Sequence, residues 1–223
     1  MNLILTSDFP STVNTAVCNR MRRCSRPPKI AWISPFTMLG RERYPRAQEL
    51  FASCGFPDLE YCDIDEEPDD GQLARLDEFD IIYLTGGDPI RFRHNIERTG
   101  LRSRIQKCLE AGRLIMGASG GAMQLTANVS LFRLTSTTVE EVVADRDGYK
   151  ALGFTDYELL PHLNRFEPPF LERVRRYSEW VSHDIIAVAD GAATLHASGD
   201  RFTCVGCAAR FRRGIMEEIQ TAE

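Results

Sequence analysis

The sequence predicts an α/β protein: a mostly parallel central sheet with helices on both faces, in three layers, and a short antiparallel portion near the C-terminus. Three observations carry that expectation. Apolar runs of strand length recur along the chain, segments with helical spacing separate them, and the runs are apolar almost without interruption. Unbroken apolarity means that both faces of a strand are covered, as happens when helices cross over a parallel sheet.

The first run is Leu3–Leu5, followed by helical spacing over Val13–Met21. Ile30–Ile33 leads into a helix around Tyr44–Ala52, and Leu59–Cys62 into the acidic stretch Asp63–Asp70, which contains Pro68 and reads as a solvated loop. Ile81–Leu84 ends in Thr85-Gly86-Gly87-Asp88, a glycine turn before a helix opened by Pro89. A helix around Leu101–Ala111 precedes the strand Leu114–Met116; Tyr157–Leu160 and a helix over Phe170–Val181 precede Ile185–Val188. From about Ala187 to Ile215 the pieces are short and strand-like, as in a hairpin or antiparallel edge.

The 223 residues suffice for one buried core, so a single domain over 1–223 is expected. With 43% hydrophobic and 26% charged residues the composition is that of a globular protein, which excludes disordered and fibrous classes. A net charge of −5 argues against nucleic acid as the main partner. The basic spot Arg20–Arg26 reads as an exposed helix end. The opening run is too short for a membrane span and has no basic leader before it, so no membrane association is expected. Seven scattered cysteines fit free thiols in a reducing cytoplasm, and Cys204-Val205-Gly206-Cys207 has no second pair with which to hold a metal.

In an open α/β sheet, sites form beyond the carboxyl ends of the strands. One such end carries Gly117-Ala118-Ser119-Gly120-Gly121, between the strand at Leu114–Met116 and the helix-like run Ala122–Thr126. A serine flanked by glycines at a strand-to-helix junction is a nucleophile elbow: a strained turn lifts the hydroxyl clear of the sheet, and bulky neighbours would collide there. The turn also aims the N–H of Gly120 at the place where an oxyanion would form, and Gly87 in the glycine turn is the candidate second donor.

A serine needs a base to take its proton, and histidine is the usual one near neutral pH. There are four. His94 lies among Arg91, Arg93 and Arg98 and reads as solvated; His183 sits beside Asp184 in a loop; His196 falls in or after a late strand. His162 follows Leu159-Leu160-Pro161 at a strand end, which makes it the candidate base. The acid that would orient it is Asp190, directly after Ile185–Val188, with Asp184 as competitor. Asp190-Gly191 also suits a plain tight turn.

Read together, Leu3-Ile4-Leu5-Thr6-Ser7, Ile82–Asp88, Gly117–Ala122, Leu160-Pro161-His162 and Ile186–Gly191 resemble, in order, blocks of peptidase family S51, which comprises dipeptidase E (aspartyl dipeptidase) and cyanophycinase. The resemblance spans most of the chain. It implies a flavodoxin-like, class I glutamine amidotransferase-like fold and a serine peptidase acting on small peptides, Asp-Xaa dipeptides first. Ser119 would be the nucleophile, His162 the base and Asp190 the acid, with an acyl-enzyme intermediate and no metal or organic cofactor. A dipeptide's carboxylates call for a cation, and Arg165, Arg173, Arg175 and Arg176 after His162, or Arg91 and Arg93 after the glycine turn, are candidates, with Asp88 a further substrate contact. The expected partner is the peptide substrate alone, on a monomer or homodimer.

Two departures from the family pattern stand out. Gly120 stands where the family commonly has alanine, and Asp88-Pro89 replaces an Asn-Thr pair. Thr85–Asp88 leans toward cyanophycinase, a β-aspartyl peptidase, whereas the short chain leans away from it. A non-catalytic ligand-binding or regulatory module on the same fold is the remaining alternative. A glutamine amidotransferase is disfavoured because its elbow carries cysteine.

Overall fold

The computed structural model describes residues 2–23, 27–198 and 201–220. In chain order the elements are β1 (Leu3–Thr6), α1 (Thr15–Met21), β2 (Ile30–Ser34), α2 (Thr37–Ser53), β3 (Leu59–Asp63), α3 (Asp70–Ala74), β4 (Ile81–Leu84), α4 (Pro89–Arg98), α5 (Leu101–Glu110), β5 (Leu114–Ala118) and α6 (Gly120–Gln124). They continue with α7 (Val139–Ala144), β6 (Glu158–Leu160), α8 (Pro168–Tyr177), β7 (Ile185–Val188), β8 (Ala193–Ser198), β9 (Arg201–Val205), β10 (Ala208–Arg212) and β11 (Ile215–Glu218). The expected three-layer α/β architecture is present, but the strands divide between two sheets.

The larger sheet runs β3-β2-β4-β5-β1-β8-β9, parallel from β3 to β1, with β8 and β9 added antiparallel. Period-two alternation sorts its side chains. Leu3, Leu5, Ile33, Ile82, Leu84 and Ile115 face α4 and α5 through Phe92, Ile96, Leu101 and Ile105. Ile4, Trp32, Tyr83 and Met116 face α1 and α2 through Val17, Met21, Ala47 and Phe51. Burial on both sides is why these strands read as continuous apolar runs.

Ile185–Val188 leaves this sheet. It pairs in parallel with β6 and antiparallel with β10 in a second, four-stranded sheet, β11-β10-β7-β6. That sheet packs on α8 through Phe170, Val174, Ile185, Ala187 and Phe211. The expected C-terminal antiparallel portion is therefore divided between the two sheets; Gly199 and Asp200 lie outside the described residues.

Two local expectations change. α2 starts at Thr37, seven residues before the apolar spacing becomes legible at Tyr44, because Thr37–Arg43 is mostly polar. The acidic stretch is not simply solvated. Asp63 and Asp65 are buried; Asp63 accepts from Thr37 Oγ1 at 3.0 Å, and Asp65 from Arg91 Nε at 3.1 Å and Asn95 Nδ2 at 2.9 Å. Burial pushes the Asp65 carboxyl up, but those donors outweigh it and hold the group below the usual aspartate range. In the basic spot, Arg20 bonds Asn2 Oδ1 at 2.6 Å and Arg22 bonds the Cys54 carbonyl at 3.0 Å, while Arg26 lies outside the described residues. Among the described residues no helix is long and apolar enough to cross a membrane.

A buried polar cluster fastens the second sheet. The Glu158 carboxylate is fully buried and accepts from Arg146 Nη2 at 2.9 Å, Tyr177 Oη at 3.0 Å and His183 Nε2 at 2.9 Å. Removing one partner from a buried ion pair strands the other charge. Arg146→Ala is therefore expected to destabilise the fold by about 3 kcal/mol, the low end for such a loss because Tyr177 and His183 remain. A fall in the urea midpoint at unchanged slope measures it.

Candidate active site

The C-terminal ends of five strands, β1, β4, β5, β6 and β7, meet at one place. Ser119 follows β5 and precedes α6 with φ 51° and ψ −122°, a conformation rare for a residue with a side chain. Its N–H bonds the Thr6 carbonyl at 3.0 Å, and its carbonyl accepts from Met123 N–H at 3.1 Å, so β1 and α6 hold the turn. His162 follows β6 in the left-handed region, φ 60°, which swings its ring back toward β5. Ser119 Oγ lies 2.9 Å from His162 Nε2, and His162 Nδ1 lies 2.7 Å from Asp190 Oδ1, just past β7.

Asp190 is the best-supplied acceptor of the site. Beyond His162, it receives Ser7 Oγ–H at 2.9 Å, Arg165 Nε–H at 2.6 Å and Asn164 Nδ2–H at 3.3 Å. Burial pushes its carboxyl up, but the hydrogen bonds from His162, Arg165, Ser7 and Asn164 win and hold it well below the usual aspartate range. An ionised carboxylate can only accept, so Nδ1 carries the imidazole proton. Nε2 of the neutral ring is then the acceptor for the Ser119 hydroxyl.

Ser7, which the sequence singled out only within its first block, completes this arrangement. Its Oγ accepts the His162 backbone N–H at 2.9 Å, lies 3.0 Å from Nδ1, and donates to Asp190. A serine after a strand carries no motif, so only its neighbours reveal it.

The glycine turn abuts the elbow. A Cβ on Gly120 would come within 2.0 Å of the Gly87 carbonyl oxygen, and one on Gly121 within 2.3 Å of the Leu84 and Thr85 carbonyls. The departure from alanine at 120 thus has a steric cause here: the turn occupies the space of the methyl group. Gly87 takes φ +151° with Pro35 and Phe36 packed where its side chain would be. Among the described residues no hydrogen bond occupies the N–H of Gly87 or Gly120. Unpaired donors beside a serine hydroxyl can stabilise a developing oxyanion.

Most of the other named residues fall elsewhere. Asp184 faces Arg212, 3.3 Å away, and Arg210, and is not at the site. Asp88 caps α4, accepting from Ile90 and Arg91 N–H at 2.7 and 3.0 Å. Arg165 lines the cavity, but its Nε is committed to Asp190. Arg173 packs over the Phe170 ring beside Thr135–Glu141, away from Ser119; Arg175 and Arg176 pair with Glu172 and Glu140. Arg91 is held by Asp65 and Arg93 by the Lys150 carbonyl. His94 is exposed, His183 serves Glu158, and buried His196 bonds Tyr157 Oη at 2.8 Å. Cys204 is buried, its thiol pushed up to about 11 by burial, while Cys207 is exposed.

The cavity beside Ser119 has a volume of about 580 Å³, a size suited to a small ligand. Its wall opposite the elbow comes from α2, including Glu42, Arg43 and Arg46, none of which the sequence pattern pointed to.

Two outcomes follow from this geometry. Gly120→Ala is expected to lower stability by about 1–3 kcal/mol, the usual cost of forcing atoms into a filled space, read as a lower urea midpoint. Asp190 has a depressed carboxyl, so it contributes stability above the unfolded aspartate value, lost as pH falls through the folded one. The stability gap between wild type and Asp190→Asn should be widest at neutral pH and shrink below about pH 4, as urea midpoints at pH 7 and 3 will measure.

Known proteins are similar to this chain in sequence or in fold. A peptidase E of Streptomyces coelicolor is 29% identical over 151 residues, 64% of this chain and 59% of that protein. An uncharacterized peptidase of Listeria monocytogenes is 32% identical over 99 residues, 44% of this chain and 46% of its own length. The chain thus spans about half to three fifths of these two relatives. A solved peptidase from an acI-B1 actinobacterium has the same fold, with a TM-score of 0.74 at 18% identity over 100% of this chain and 95% of that one. The model of peptidase family S51 matches residues 16–205, and the chain belongs to that family.

Proposed function

We propose that this chain is a serine peptidase that hydrolyses small peptides, Asp-Xaa dipeptides in particular, through an acyl-enzyme. The observation that carries the reading is the unbroken line from Ser119 Oγ to His162 Nε2, 2.9 Å, and from His162 Nδ1 to Asp190, 2.7 Å. Membership of family S51 and the peptidase E relatives support it.

In this reading Ser119 Oγ attacks the scissile carbonyl while His162 Nε2 takes its proton. Asp190 keeps the proton on Nδ1 and stabilises the imidazolium that forms. The N–H groups of Gly87 and Gly120 receive the oxyanion. His162 then protonates the departing amine, and a water activated by the same Nε2 releases the acyl group. The chemistry calls for no metal or organic cofactor. Arg165 steadies Asp190 rather than gripping substrate. The free thiols suit a cytoplasmic setting, and a monomer or homodimer suffices because every group named belongs to one chain.

Ser119→Ala is expected to cut hydrolysis of Asp-Leu by about 10⁴- to 10⁶-fold, as removal of a triad nucleophile does. Mass spectrometry should place a fluorophosphonate adduct on Ser119 of the wild type. Preferential cleavage of β-Asp-Arg in the same assay would move the substrate to β-aspartyl peptides. A wild type that neither takes the label nor cleaves either peptide would overturn the peptidase reading.

A further inference from the structure

Most of the charged groups that line the cavity already have partners. Asp8 is engaged, accepting from Gly191 N–H and Thr12 Oγ at 2.8 and 2.5 Å. Arg165 and His162 are both committed to Asp190. What remains is the α2 wall, with Glu42, Arg43 and Arg46.

Among the described residues neither Arg43 nor Arg46 takes part in an ion pair, a hydrogen bond or a ring contact. Arg41, on the same helix, pairs with Glu67 at 2.5 Å, and Arg91, Arg102, Arg113, Arg146, Arg175 and Arg176 all hold carboxylates. Glu42 stands four residues before Arg46, the favourable order for a helix pair, yet forms no ion pair with it. The wall thus carries two unpaired guanidinium groups against one carboxylate.

Arg43 and Arg46 are three residues apart and so neighbours on one helix face, with Cβ atoms roughly 5–6 Å apart. Each guanidinium is a planar fork matched to a carboxylate, and two forks at that spacing can close on one. The helix rises 1.5 Å per residue, so the pair stands roughly 9–14 Å along α2 from Thr37, which follows Phe36, the residue packed against Gly87. Both side chains line the same cavity as Ser119.

We infer that Arg43 and Arg46 form a carboxylate-binding subsite that selects small acidic or free-ended peptides. The inference rests on the peptidase reading for its substrate but not for its binding. One substrate carboxylate lies between the two guanidinium groups, and Glu42 beside them favours a ligand that also carries an ammonium group. Two carboxylates of a dipeptide share this chemistry: the side chain of an N-terminal aspartate and the α-carboxylate of the leaving residue.

The test compares Asp-Leu, Asp-Leu-amide and Asn-Leu on wild type and on Arg43→Gln/Arg46→Gln. Wild type should prefer Asp-Leu over one of the two neutralised peptides by about 10- to 100-fold in kcat/KM, and the double variant should bring that ratio close to one. Loss of discrimination against the amide assigns the α-carboxylate; loss against Asn-Leu assigns the side chain. Ratios unchanged by the double substitution overturn the inference. Calorimetric titration of the same three peptides into Ser119→Ala, with and without the arginine substitutions, reads binding without turnover. A carboxylate-dependent Kd that weakens with the arginine changes upholds the subsite even where no peptide is cleaved. Binding indifferent to the arginines refutes it while leaving the nucleophile's role standing.

Discussion

The carboxylate of Asp190 is the point on which the arrangement turns. It stands at the end of β7, in the second sheet, and accepts hydrogen bonds from His162 and Arg165 after β6 and from Ser7 after β1, in the first sheet. One ionised group therefore ties the two sheets together where Ser119 emerges between them. The same bonds that keep it ionised also fix which nitrogen of His162 bears the proton. Removing any one donor weakens both the joint and the tautomer, so fold and site are coupled through a single residue.

The elbow imposes a second constraint, steric rather than electrostatic. Gly120 and Gly121 lie against the backbone of the β4 end so closely that a methyl group at either would overlap a carbonyl oxygen. That contact brings the glycine turn beside the serine and leaves two backbone N–H groups near it without a partner among the described residues. Packing of this kind needs the central strands in register, and the parallel pairing of Leu84 with Gly117 in β4 and β5 supplies it. The apolar layers on both faces of the sheet thus hold an arrangement in which they have no chemical part.

Much of this was legible from residue order. The alternation of apolar runs and helical spacing carried the α/β architecture, and the glycine-flanked serine, the strand-end histidine and the aspartate after Ile185–Val188 are the residues brought within hydrogen-bond distance. Less legible were groups whose partners lie far along the chain. Ser7 meets His162 across 155 positions, and Asp65, in a stretch that looks solvated, is buried against Arg91 and Asn95.

By itself the sequence determined what local sterics and burial dictate: strands covered on both sides, a turn that only glycine permits, and a serine at its apex. The tertiary structure alone decided which charges find partners. It placed β7 in a second sheet, spent Arg91, Arg165 and Arg173 on other contacts, and left Arg43 and Arg46 lining the cavity with no partner among the described residues. The physical reason is range. Apolar periodicity is written in neighbouring residues, whereas an ion pair depends on which distant segments packing brings within a few ångströms.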